Sequence, residues 1–135
     1  MYLDGAGNTS IVAADLDGGS SDNCGPVTLS ASTTSFTCAN TGTNNVTLTV
    51  TDGNGNTANC VAVVTVLDTI APVATCPSNQ IETPNASCNF TLPDYTGLVV
   101  ALDNCDLAPT ITQSPLPGTV ISGTTTITMT SVDID

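Results

Sequence analysis

Apolar and polar residues alternate along NVTLTVT, residues 45–51. Because successive side chains of a strand point to opposite faces, Val46, Leu48 and Val50 would face a core, and the threonines between them would line the other face. Thr and Val are β-branched and favour strands, and no segment has helical periodicity. The pattern therefore predicts an all-β chain.

Further strands are predicted wherever a short β-branched run ends at turn residues. Their regular spacing is typical of small antiparallel sandwiches, which also suit a chain with 3% aromatic residues and no Trp. The predicted strands cover residues 10–13, 27–31, 45–51 and 59–67 in the first half, and 91–93, 110–113 and 125–132 in the second.

The polar run DGNGN, residues 52–56, lies between two of these strands. Asp, Asn and Gly tolerate the positive φ angles of a tight turn, so the run predicts the tip of a β-hairpin. A dedicated ligand-binding loop is the alternative.

The chain contains an internal repeat. Asp22-Asn23-Cys24 recurs 81 residues later as Asp103-Asn104-Cys105, which indicates two copies of one module of roughly 80 residues. The same offset relates Gly42-Thr43 to Gly123-Thr124, Asn8 to Asn89, and Asp52 to Asp133. The border is predicted near residues 66–76, where Pro72 would end any strand. The resulting modules are residues 1–67 and 68–135.

Charge excludes several classes of function. The 135 residues include 12 acidic side chains and no Lys, Arg or His, so the net charge is −12. Nucleic acid is excluded as a partner because phosphate binding needs basic residues, and an anionic membrane surface is disfavoured. Without a His base or a Lys nucleophile, catalysis is reduced to carboxylates, hydroxyls and thiols, so we expect no enzyme. Paired-carboxylate glycosidase chemistry stays open in principle.

No apolar run is long enough to span a bilayer, and no secretion signal begins at Met1. We therefore expect a mature or excised piece of a protein.

Residues 46–76, VTLTVTDGNGNTANCVAVVTVLDTIAPVATC, resemble the hyalin-type repeat, an immunoglobulin-like extracellular module, in the form found in very long surface proteins of Bacteroidota. Residues 2–25 and 36–50 are similar to the tandem repeats of their gliding-motility adhesins. The resemblance implies tandem immunoglobulin-like β-sandwich repeats in a stalk or adhesive region exported by the type IX system. Such repeats carry a cysteine before YLDG and another after the GN hairpin. The first is missing here and the chain stops before the second, which implies an array cut at both ends.

Six cysteines without a C-x-x-C pair suggest disulfides and an oxidising exterior, with free thiols or a zinc site as alternatives. Cys24 and Cys105 are equivalent by the repeat offset, but their neighbours Cys38 and Cys88 have no counterpart in the other copy. The simplest prediction is the pairs Cys24–Cys38 and Cys88–Cys105, with partners outside the chain for Cys60 and Cys76.

Three acidic residues, Asp15, Asp17 and Asp22, lie close together in DLDGGSSDN, with Asp4 upstream. Carboxylate oxygens around a glycine turn are the hard ligands that calcium prefers. The loop therefore predicts either a calcium site or a solvated acidic turn.

Glycosylation is a further possibility. Asp68-Thr69-Ile70 resembles the O-glycosylation motif of Bacteroidota, and the resemblance makes Thr69 the best glycan site. Sequons at Asn8, Asn45, Asn85 and Asn89 arise readily in a chain rich in Asn and Thr.

These observations predict a non-catalytic structural or adhesive segment of a long extracellular cell-surface adhesin or filament. Its expected partners are neighbouring repeats of the same protein or fibre, and surface glycans. The alternative is a carbohydrate-binding accessory module of a secreted enzyme. Sugar-binding platforms usually need exposed aromatic rings, for which Tyr2 and Tyr95 are the candidates.

Overall fold

The computed structural model describes residues 1–133. Strands make up 39% of these residues, and the sheets are antiparallel. The helical segments of the described residues are 3-10 turns at Ala13–Leu16, Cys38–Asn40 and Thr96–Leu98. No helix in residues 1–133 has the length and hydropathy needed to cross a membrane. The chain forms two compact units, Met1–Thr69 and Ile70–Asp135.

The first unit contains a three-stranded antiparallel sheet in the order β2-β4-β5 and a separate antiparallel pair, β1-β3. A parallel bridge joins Tyr2 to Leu67 beside the end of β5. The strands are β1 (Asn8–Ser10), β2 (Thr28–Ala31), β3 (Ser35–Thr37), β4 (Gly42–Thr51) and β5 (Thr57–Val66).

Strand β4 confirms the predicted division into two faces. Val46 and Leu48 are buried and Val50 is half-buried, whereas the threonines between them lie on the opposite face. Pairing with β5 places Leu48 opposite Cys60 and Thr47 opposite Val61. The core of this unit is completed by Phe36, Val66 and Leu3, which are also buried.

The second unit contains three antiparallel pairs, β6-β8, β7-β10 and β9-β11. Its buried residues include Leu92, Tyr95, Val99 and, unusually for a polar side chain, Gln113. The strands are β6 (Val73–Thr75), β7 (Phe90–Thr91), β8 (Val100–Leu102), β9 (Thr110–Ser114), β10 (Val120–Ile121) and β11 (Thr128–Val132).

Three predicted strands need correction, and the one predicted at 125–132 begins only at Thr128. The strand predicted at 10–13 is wrong beyond Ser10, because Val12 N donates to Asp15 Oδ2 at 2.8 Å and this bond starts a 3-10 turn. The strand predicted at 91–93 is instead Phe90–Thr91, since Pro93 has no N–H for a ladder bond. Strands β3, β6, β8 and β10, of two or three residues each, were not predicted.

Candidate functional site

The polar run at residues 52–56 joins β4 to β5, whose pairing continues to Thr51 opposite Thr57. Asp52 N donates to Asn56 O at 3.0 Å, and Gly55 adopts the left-handed φ of 88° that closes the loop. The predicted hairpin is therefore confirmed.

The Asp52 carboxylate holds this loop together from inside. Its Oδ1 accepts from the backbone amides of Asn54 and Asn56 at 2.8 Å each, and its Oδ2 accepts from Asn56 Nδ2 at 2.7 Å. The Asn56 side chain, followed by the backbone amides, lowers the pKa of Asp52. Because both carboxylate oxygens serve the turn, the loop has a structural role.

The same five-residue turn occurs at residues 4–8 and 85–89. Asp4 Oδ1 accepts from Ala6 N and Asn8 N at 2.9 Å, and Asn85 Oδ1 accepts from Ser87 N at 2.9 Å and Asn89 N at 3.1 Å. The fourth position has a positive φ in both, 71° at Gly7 and 60° at Cys88. These turns are 81 residues apart, so aligned positions have matching backbone geometry in the two units.

The three carboxylates of the predicted calcium loop do not converge on a common position. Asp15 Oδ2 accepts from Val12 N at 2.8 Å, Asp17 Oδ1 accepts from the Ser20 hydroxyl and amide, and Asp22 Oδ2 accepts from Cys24 N at 2.8 Å. The Ser20 side chain, then its backbone amide, lowers the pKa of Asp17. Within the described part of the chain, these three carboxylates form no group within reach of one ion. Each one instead caps its own turn.

The cysteines also differ from the prediction. Cys38 and Cys105 are each part of a disulfide, whereas Cys24, Cys60, Cys76 and Cys88 are exposed free thiols. The predicted pairs Cys24–Cys38 and Cys88–Cys105 are therefore not formed in this structure. One reason is the register of β1 against β3, which holds Cys38 beside the turn at residues 4–8, with its Sγ 3.7 Å from Gly7 O. Partners outside the chain for Cys60 and Cys76 stay a prediction.

The repeated Asp-Asn-Cys motif forms a turn in both units. Asp22 Oδ2 accepts from Cys24 N, and Asp103 Oδ2 accepts from Cys105 N, both at 2.8 Å. In the second unit Asp103 Oδ2 also accepts from Asp106 N at 2.9 Å. Asp106 Oδ1 in turn accepts from Ala108 N at 2.8 Å.

Several side-chain oxygens of the second unit are shielded from solvent. Asp103 Oδ1, Asp106 Oδ2 and Ser131 Oγ each expose less than 1 Å² and accept no hydrogen bond. One carboxylate oxygen of Asp103 lies within 4.8 Å of one of Asp133. Asp68, two residues before the second unit begins, also keeps one carboxylate oxygen away from solvent.

Sequence analysis did not predict that carboxylate oxygens of Asp103 and Asp133 lie within 4.8 Å of each other. At the offset of 81, Asp106 replaces Gly25 and Ser131 replaces Val50. The second copy therefore gains two oxygen-bearing side chains at positions where the first copy has a glycine and an apolar residue.

The two tyrosines have different environments. Tyr2 is 64% exposed, whereas Tyr95 is 7% exposed and its hydroxyl lies 3.2 Å from Glu82 Oε1. Burial, and then the Glu82 carboxylate, raise the pKa of Tyr95. Tyr95 is therefore a core residue, and it lines a cavity together with Phe90 and Leu92.

Thr69, the candidate glycan site, is exposed. Of the sequon residues, Asn8, Asn45 and Asn85 are exposed and Asn89 is half-buried.

Comparison with known proteins does not assign the chain to a family. No family model matches the chain, and no curated protein or solved structure matches it either.

Proposed function

We propose that the chain is a structural and adhesive segment of a long extracellular cell-surface adhesin or filament, built from tandem immunoglobulin-like β-sandwich repeats of the hyalin type. The observation that carries this proposal is the recurrence of one turn geometry, 81 residues apart, in two compact units. Proteins built by repeating one module generally use it to extend and to present surfaces, because each repeat contacts mainly its neighbours.

The surface of the first unit supports a role in contacts rather than in catalysis. The outer face of β4 and β5 carries Thr47 and Thr49 beside Val61 and Val63, both of which are 64% exposed. This uncharged, β-branched face suits a neighbouring repeat of the same protein or fibre, and the surrounding hydroxyl and amide groups suit surface glycans. With no basic side chain in the sequence, we propose no nucleic-acid partner and no direct membrane insertion.

A disulfide suggests a compartment outside the cytoplasm, where such bonds persist. We place the protein at the cell surface, exported by a type IX-like route as the sequence resemblance implies. The exposure of Thr69 makes it accessible to an O-glycosylating enzyme in that setting.

The alternative is a carbohydrate-binding accessory module of a secreted enzyme. The structure of the second unit weakens this alternative, because the Tyr95 ring is in the core. Tyr2 is then the exposed aromatic ring that a sugar could stack on.

A glycan array probed with the wild-type chain and with Tyr2→Ala distinguishes the two roles. The adhesin proposal predicts that any binding is unchanged in Tyr2→Ala, since contact is spread over threonine and asparagine side chains. Binding that disappears in Tyr2→Ala and persists in the matched variant Tyr2→Phe would support the sugar-binding module and contradict the stalk.

A further inference from the structure

The second unit has no counterpart of β5 among the described residues. In the first unit, β4 pairs with β2 on one side and with β5 on the other. At the offset of 81, β11 and the residues before it are the counterparts of β4. Within residues 1–133, β11 pairs with β9 alone, and the offset places the counterpart of β5 beyond residue 133. One edge of β11 is therefore not paired with a strand in the part of the chain that the structure describes.

A cavity of about 670 Å³ lies in the second unit, a volume typical of binding pockets. Two stretches of chain line it, residues 76–82 and residues 123–127, and we call these the two walls of the cavity. Met129 of β11 also lines it. The cavity therefore adjoins the strand that has a partner on one side only.

The first unit shows what fills the corresponding space. Residues 42–46, the counterparts of the second wall, pair with β5. Met1, the counterpart of Glu82 in the first wall, donates from its nitrogen to Thr65 O at 2.8 Å and accepts from Leu67 N at 3.0 Å. Both counterparts thus contact one strand and its continuation, which indicates that the cavity has the place of a strand.

Both walls have backbone groups that are free to pair. Neither wall belongs to a strand, and neither contributes to the backbone–backbone hydrogen bonds of residues 1–133. Each residue other than proline nevertheless carries one N–H donor and one C=O acceptor. Unpaired backbone groups of this kind are what an added strand binds when it extends a sheet.

Apolar side chains at the cavity are incompletely buried. Ile127 and Met129 are half-buried, whereas their counterparts Val46 and Leu48 are 0% and 1% exposed. In the first unit Val46 lies opposite Ala62 of β5, so β5 contributes to this burial. A strand in the cavity would remove the same apolar surface of the second unit from water, which is favourable.

We propose that the cavity binds an extended polypeptide segment from outside residues 1–133, which pairs with residues 123–129 as β5 pairs with β4. The segment has apolar side chains at alternate positions and no charged residue, as β5 has in TANCVAVVTV. An acidic segment is disfavoured, because Glu82 lines the cavity and the chain has a net charge of −12. The inference rests on the internal repeat and goes beyond the adhesive role, so the glycan array and the experiment below can fail independently.

The test is amide hydrogen exchange of the whole chain, followed by NMR, with a synthetic peptide of residues 57–66 that carries Cys60→Ser. Bound peptide should slow exchange at residues 123–127 by at least about tenfold. Residues 42–46 are already paired with β5 and should not change. The control peptide has the same composition in an order without alternation, and it should have no effect. No slowing at residues 123–127, equal slowing by both peptides, or slowing confined to β5 overturns the proposal.

A matched pair of variants tests the position of the peptide. Ile127→Glu places a carboxylate in the cavity and should weaken peptide binding by at least about tenfold, because burying a charge is costly. Thr128→Glu adds the same charge at the next position, which is exposed and does not line the cavity, and should leave binding unchanged. Equal weakening by both variants contradicts the proposal. Exchange in the wild type decides the outcome even if Ile127→Glu folds poorly.

Discussion

The backbone amide of Tyr95 donates a hydrogen bond to Gln113 Oε1 at 2.8 Å, across 18 residues of sequence. Gln113 Nε2 donates in turn to Pro93 O and Pro115 O, both at 3.1 Å. The side chain is 4% exposed, and its amide group accepts from the buried Tyr95 amide and donates to two part-buried carbonyls. The Gln113 side chain therefore links β9 to the segment at residues 93–95 by hydrogen bonds.

Replacing Gln113 should destabilise the second unit. Gln113→Leu keeps the volume but leaves the buried Tyr95 amide without its acceptor and removes the donor to two part-buried carbonyls. An unsatisfied buried group costs about 1–3 kcal/mol. We expect the free energy of unfolding to fall by at least about 2 kcal/mol in urea denaturation. The exposed Gln80, whose Nε2 donates to Ser78 O at 2.7 Å, is the control: Gln80→Leu should have little effect. Equal losses for both would show that the Gln113 network is not stabilising.

The two faces of β4 should respond differently to truncation. Leu48 is 1% exposed in the core, so Leu48→Ala should lower the free energy of unfolding by about 2–5 kcal/mol. Thr49→Ala, one residue along on the outer face, should change it by about 0.5 kcal/mol or less. Both values come from the same denaturation series, and a reversed order would mean that the assignment of the faces is wrong.

A substitution at Cys88 tests whether this residue is a free thiol, as in the structure, or forms the Cys88–Cys105 disulfide that the sequence suggested. Cys88 occupies the left-handed position of its turn, with φ 60°, which costs a non-glycine residue roughly 1–2 kcal/mol. Its thiol is exposed and free, so Cys88→Gly should raise the melting temperature.

The opposite result would favour a Cys88–Cys105 bond, because losing a disulfide costs about 2–4 kcal/mol. A peptide map after alkylation without reductant checks the same point independently. It should find Cys24, Cys60, Cys76 and Cys88 alkylated, and Cys38 and Cys105 protected.

The hairpin should depend on pH through Asp52. Its pKa is lower in the folded chain than the ordinary value of about 3.9. The charged form therefore stabilises the fold at pH values above about 4, and this contribution is lost as the pH falls through the lowered pKa. The difference in unfolding free energy between wild type and Asp52→Ala should be constant from about pH 7 to pH 5 and shrink in more acidic solution. A difference that persists undiminished at pH 2 would contradict a role for the ionised carboxylate.

The parts that the sequence predicted depend on local chemistry. The alternation from Val46 to Thr51 and the turn at Asp52 follow from side-chain direction and from the φ angles that Asp, Asn and Gly allow. Strands such as β6 and β10 were not predicted because two or three residues are too few to show an alternation of apolar and polar side chains. These strands are defined only by their pairing with other strands.

The candidate sites required information that sequence spacing does not contain. Asp15, Asp17 and Asp22 are close in sequence, yet each caps a separate turn, whereas Asp103 and Asp133 are far apart in sequence and close in space. The β9-β11 register positions Ser131 opposite Ile111 and leads the chain on to Asp133. The position of Cys38 likewise depends on the register of β1 against β3. The spacing of the cysteines along the sequence does not predict this register.

Force extension tests the proposed stalk most directly. The reduced chain, held by its two ends in an atomic-force microscope, should unfold in two separate events, each lengthening it by on the order of 200 Å for one unit. Reductant is needed so that no disulfide limits the extension. A single event, or gradual lengthening at the low force of an unfolded linker, would contradict the account of a segment made of tandem force-bearing modules.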